Sequence, residues 1–176
     1  MLRERRNDLF HLLNILESIG KIEKYIGDIA NADEFINSND QLNYNATLTL
    51  LANVAESLSK LSDETQSELI GIDFSSIRGM RNRIVHDYAG LNSFIVFDVA
   101  KNKLQEIKII SEQIINRNIK NGNFEKEEYH ISVENSFYKH VRFNKMGLPA
   151  IVWVKRGRGR VRRSGTLSHF GSARHS

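Results

Sequence analysis

Apolar residues recur in steps of three and four from Leu9 through Leu12, Leu16, Ile19, Ile22, Ile26 and Ile29. At about 100° per residue, that spacing lays one continuous stripe down a long amphipathic helix. A second stripe runs Leu48, Leu51, Ala55, Leu58 and Leu61, widened by Val54, and another runs Phe97, Ala100, Leu104, Ile107, Ile110 and Ile114. Between these two, Asp73 is placed to N-cap a short helix carrying Phe74, Ile77, Met80 and Ile84 inward and ending near Gly90, read as the left-handed residue after the helix. Asn92 or Ser93 then caps the last helix. The links at 33–40 and 69–73 are short, so the elements are expected to form an all-α, antiparallel bundle of four or five helices.

Past Asn121-Gly122 the helical period stops, and Tyr129, Ile131 and Val133 alternate as in a strand. A short apolar run, 150–154, precedes an arginine–glycine segment at 155–163, and 164–176 is rich in Ser, Gly and His. The chain therefore divides into a helical domain, 1–121, and a basic, irregular extension, 122–176. Charge follows the same division. Residues 1–118 hold 13 Lys and Arg against 17 Asp and Glu, while 119–176 hold 12 against 4. Any nucleic-acid contact made by the bundle must then come from a local patch and not from a general positive field.

The chain has no cysteine, which rules out disulfides, thiolate zinc sites and a cysteine nucleophile, and fits a reducing cytoplasm. The longest apolar run, 149–154, falls far short of the roughly 20 residues that cross a bilayer. The first residues are basic, but Glu4, Asp8, His11 and Asn14 interrupt any oily stretch, so neither export nor membrane insertion is expected.

Chemistry concentrates in Arg78-Gly-Met-Arg81-Asn82-Arg83-Ile84-Val85-His86-Asp87-Tyr88. On a helix, Arg78, Asn82 and His86 share one polar stripe, and Arg81 and Tyr88 nearly eclipse on a neighbouring one. Such a surface suits RNA cleavage. Attack by a ribose 2′-hydroxyl on its own 3′-phosphate needs a base, an acid for the leaving 5′-oxygen, and a cation over the phosphorane. Histidine fits the first two roles and an arginine fork the third. Asn82, one turn before His86, can orient the imidazole or a phosphate oxygen. Arg81 and His86 lie about 140° apart on an ideal helix, which hinders cooperation within one chain. A two-fold dimer pairing this helix with its own copy removes the difficulty. The scheme needs no metal or other cofactor.

The string Arg81-Asn-Arg-Ile-Val-His86-Asp-Tyr88 resembles the R-x4-H-x-Y signature of HepT-like toxins in the HEPN superfamily. Ile77-Arg-Gly-Met resembles the stretch leading into that motif, and Leu51-Ala-Asn-Val-Ala-Glu-Ser-Leu-Ser the preceding long helix. The resemblance covers roughly 1–118. It implies a helical-bundle homodimer with a composite, metal-independent ribonuclease site carried by Arg81 and His86, with Asn82 in support. It also implies a partner, a minimal nucleotidyltransferase antitoxin that transfers AMP from ATP to Tyr88. Adenylyl phosphates there would put negative charge and bulk where RNA phosphate must sit.

Plainer readings stand beside these. Arg81 can also pair with an acidic residue on a neighbouring helix, and Arg78 and Arg83 read as solvated or weakly RNA-facing. His11, His130, His140, His169 and His175 show no metal-binding spacing and read as surface histidines. The arginine–glycine segment reads as a solvated extension that can add to RNA affinity. The alternative for the whole chain is a non-catalytic helical adaptor that presents substrate to a nucleotidyltransferase.

Overall fold

The first stripe becomes α1, Leu2–Ile26, in a computed structural model that describes residues 2–146. Every leucine and isoleucine of α1 from Leu9 onward is buried. The helix stops before the stripe does. Gly27 adopts a left-handed φ of 47° and its N–H closes on the Glu23 carbonyl, while Ile29 packs on the core from the link.

Short helices that the apolar period did not reveal lie between the stripes. Asn31 accepts from the N–H of Glu34 and starts α2, Ala32–Asn37, which drops Phe35 into the core edge-on to Tyr44. Three consecutive left-handed residues, Asn39, Asp40 and Gln41, then turn the chain into α3, Leu42–Ser59. Ser62 caps α4, Asp63–Glu68. The buried Asp8 of α1 holds that cap: it accepts from Ser62 N at 2.8 Å, Ser62 Oγ at 2.6 Å and Thr65 Oγ1 at 2.7 Å. Those bonds offset the desolvation of the carboxylate.

The short reactive helix is α5, Phe74–His86. Its N-terminus is as predicted, with Asp73 accepting from the N–H groups of Ser75 and Ser76 at 3.0 Å. Its C-terminus is not. The helix ends at His86, and Tyr88–Gly90 forms a separate 3-10 turn in which Gly90 has no left-handed φ. A Cβ at Gly90 would lie 2.5 Å from Asp87 Oδ2, so the residue serves a close approach instead.

Asn92 accepts from the N–H groups of Phe94 and Ile95 and starts α6, Ser93–Asp98. This helix passes through one wide π turn, Val99–Lys103, into α7, Leu104–Lys120. Beyond it Leu104, Ile107 and Ile114 of the stripe stay buried, while Ile110 is only half-buried and Ser111 takes a core position.

The strand expected around 129–133 is overturned. Those residues lie in α8, Lys126–Glu134, and no strand occurs among the described residues. Tyr129 points into the core while Ile131 points to solvent, a helical distribution that mimicked alternation. Phe124, Tyr129, Tyr138, Val141 and Met146, all beyond 121, join the core built by α1, α3 and α7. The segment after α8 is pinned to α1 by a buried carboxylate. Glu17, 2% exposed, accepts from His140 N and pairs with His140 Nδ1, both at 2.8 Å. Gly20 lets that contact close, since a Cβ there would lie 2.8 Å from His140 Cβ and from its carbonyl oxygen. The 150–154 run, the arginine–glycine segment and the Ser/Gly/His-rich stretch lie outside the described residues. Among those described, no helix is long and apolar enough to cross a membrane.

Candidate functional site

Phe74, Ile77, Met80 and Ile84 seat α5 against the core with no residue of the helix fully buried. Its polar side chains are consequently displayed, as the sequence predicts: Arg78, Asn82, Arg83 and His86 are exposed, and Arg81 is half-buried.

Arg81 is held on two sides. Its Nη2 donates to Glu56 Oε2 of α3 at 3.3 Å, and its Nη1 donates to Asn82 Oδ1 at 3.3 Å. The expected ion pair with a neighbouring helix is therefore made, with Glu56 as the partner. Lys60 Nζ sits 3.0 Å from Glu56 Oε1. Lys60, and then Arg81, hold the Glu56 carboxyl below the ordinary carboxylate range, so it stays an anion beside the guanidinium.

Arg78, Arg81 and Asn82 line one cleft with Glu56, Ser59 and Gln66, of about 390 Å³. His86 and Tyr88 are not among its lining residues. Arg83 faces the other side of α5, in a hollow of about 310 Å³ with Met80, Leu91 and Ile95. One chain thus brings Arg81 and Asn82 together, with His86 outside the cleft they line.

Tyr88 corrects one helical extrapolation. Because α5 ends at His86, Tyr88 does not eclipse Arg81 on a continuing helix but belongs to the following 3-10 turn. It is 50% exposed, and its hydroxyl is hydrogen-bonded to Asn45 Oδ1 of α3. Burial, and then the nearby Tyr88, push the Tyr44 phenol up. Val85, Phe94 and Ile95, next to Tyr88 in sequence, also leave much of their apolar surface in solvent.

The surface-histidine reading needs correction. His11, His130 and His140 are half-buried, and His140 is locked to Glu17. Burial, with Lys60 adding to it, pushes the His11 imidazole down. His169 and His175 lie outside the described residues. Among the described residues, no group of three or more His, Asp or Glu side chains is arranged to hold a metal ion.

Sequence reasoning missed Glu56 and Asn45. Both sit on α3 and touch α5 or its following turn across sequence separations of 25 and 43 residues. No local spacing signals such a pairing.

A family model described as "Ribonuclease HepT-like" matches residues 15–114. Two proteins of Methanocaldococcus jannaschii, each provisionally named an RNase, are 32% identical over 100 residues. The alignments span 53% of this chain and 84% and 81% of those relatives. A third protein from that organism with the same kind of name is 27% identical over 104 residues, spanning 58% of this chain and 84% of the relative. No solved structure matches.

Proposed function

Since the chain belongs to the HepT-like ribonuclease family, we propose that it is the toxic member of a toxin–antitoxin pair, a metal-independent endoribonuclease acting as a homodimer on RNA. A 2′-hydroxyl attacks its neighbouring phosphorus, and the 5′-oxygen leaves, giving a 2′,3′-cyclic phosphate and a 5′-hydroxyl. His86 of one subunit takes the 2′-proton and His86 of the other protonates the leaving oxygen. Arg81 stabilises the phosphorane, with Asn82 orienting the guanidinium or a phosphate oxygen. Arg78 and Arg83 contribute weaker electrostatic contacts to the strand.

The observation that carries this reading is the placement of a half-buried Arg81 with an exposed Asn82 and His86 on one helix inside the family-matched stretch. The exposed Val85, Tyr88, Phe94 and Ile95 support a subunit contact next to that row. Pairing the helix with its own copy would bring a second imidazole to the Arg81 cleft, which one chain lacks.

Silencing follows from Tyr88. Its hydroxyl oxygen attacks the α-phosphorus of ATP on a cognate nucleotidyltransferase antitoxin, pyrophosphate leaves, and the phenol proton passes to a base on that partner. The resulting phosphodiester blocks RNA by charge and bulk. Purified protein in EDTA should cleave single-stranded RNA to 2′,3′-cyclic ends, and His86→Ala should abolish cleavage with its helical circular dichroism unchanged. Cleavage by His86→Ala at the rate of the unmodified chain would overturn the catalytic assignment. Incubation with the nucleotidyltransferase and ATP should add AMP to the peptide holding Tyr88, and Tyr88→Phe should remain unmodified.

A further inference from the structure

The Arg81 cleft continues across Glu56 into a second groove of about 490 Å³, between α1, α3 and the segment after α8. Glu56 lines both, but the chemistry changes there. The second groove exposes two aromatic rings, Phe10 at 52% and Phe137 at 57%, beside the amides of Asn14 and Asn53. Its remaining charges are internally paired: Lys21 Nζ lies 3.2 Å from the buried Glu17 and 5.3 Å above the Phe137 ring. Between these paired charges the groove presents aromatic surface and amide edges.

Phe137 is already fixed in place. Asn135 Oδ1 accepts from its N–H at 3.0 Å, and Tyr138 packs edge-on against it at 5.2 Å. Asn14 Oδ1 is buried and has no hydrogen-bond partner. Asn14 lines the groove, so a turn of its side chain would offer that unmet acceptor to a donor on a ligand. Flat faces beside an unmet acceptor match an unpaired nucleobase, which stacks on aromatic rings and donates through an exocyclic amine.

We propose that this groove is a base-binding subsite of the ribonuclease, holding one unpaired base with an exocyclic amino group, next to the phosphate bound at the Arg81 cleft. The inference rests on the ribonuclease reading and deepens it. Phe10, Asn14 and Phe137 all lie outside the family-matched 15–114, so the preference belongs to this chain's own flanking segments.

The test measures binding of labelled oligoadenylate and oligouridylate of equal length to the full chain carrying His86→Ala, so that affinity is read without cleavage. Oligoadenylate should bind more tightly. Adding Phe137→Ala should weaken its binding about tenfold, and Phe137→Tyr should restore it. Asn14→Leu should erase most of the difference between the two strands. In the cleaving chain, Phe137→Ala should raise KM by the same factor and leave kcat unchanged. Equal affinity for the two strands, or a Phe137→Ala chain that binds oligoadenylate normally, would overturn the subsite. So would a Phe137→Ala chain that dissociates into monomers with RNA affinity intact, because the groove would then belong to a second copy. Absence of cleavage by the unmodified chain would sink the ribonuclease reading alone, leaving the binding series to judge the groove.

Discussion

α1 buries every leucine and isoleucine from Leu9 to Ile26, whereas α5 buries no residue completely and carries Arg78, Arg81, Asn82, Arg83 and His86 at its surface. The first helix is held on α3 and α7 mainly by buried apolar side chains. The second rests on α3 through partly covered side chains and is fixed by its Asp73 cap and the Arg81–Glu56 pair. The difference shows how stability and reactivity can be assigned to separate elements: the core holds a platform, and the platform displays polar groups that a packed helix would have to desolvate.

That division predicts opposite mutational behaviour in the two regions. The largest effect should be on cleavage, where His86→Ala should lower the rate about 10²- to 10⁴-fold while moving the denaturation midpoint by less than about 0.5 kcal/mol of stability. Leu58→Ala, in the core, should do the reverse, costing about 2–5 kcal/mol in urea unfolding and leaving cleavage per folded molecule unchanged.

Gly20→Ala sharpens the contrast further. Alanine ordinarily favours a helix interior, but here its Cβ meets His140, so a loss of about 1–3 kcal/mol is expected with loosening of the segment after α8. A stabilised Gly20→Ala protein would mean that the segment does not dock as described. Asp73→Ala, which removes the α5 cap, should cost about 1 kcal/mol, read by the same unfolding curves.

The smallest effect concerns pH. Burial pushes the Tyr129 phenol up to about 12, against an ordinary value of about 10. Folding therefore favours its protonated form. Its contribution to stability is complete below pH ~10 and is lost as pH rises toward ~12. Absorbance titration should show one phenol that ionises only there, and Tyr129→Phe should remove that step.

Much of this division was legible in the sequence. The stripes gave α1, α3 and α7 because burial follows the helical period, and Asp73 and Asn92 marked helix starts because their side chains cap N–H groups. The chemistry-bearing residues of α5 could be named because they interrupt an otherwise packing-driven chain. Other features depend on distant partners or on local geometry that apolar spacing does not encode. Glu56 and Asn45 acquire meaning only once α3 lies beside α5, and α2 and α4 are too short to show a period. Tyr129, Ile131 and Val133 looked like a strand because β-branched residues happened to fall on opposite faces of a short helix. The π turn between α6 and α7 interrupts a stripe whose spacing reads as one continuous helix.

The central claim is that the two His86 side chains act together across a subunit boundary beside Arg81, and co-purified heterodimers of differently tagged unmodified and His86→Ala chains test it most directly. The unmodified homodimer should cleave RNA in EDTA and the His86→Ala homodimer should not. The heterodimer should be as inactive as the His86→Ala homodimer, because it lacks either the base or the acid. A heterodimer that cleaves at a rate comparable to the unmodified dimer would contradict the account.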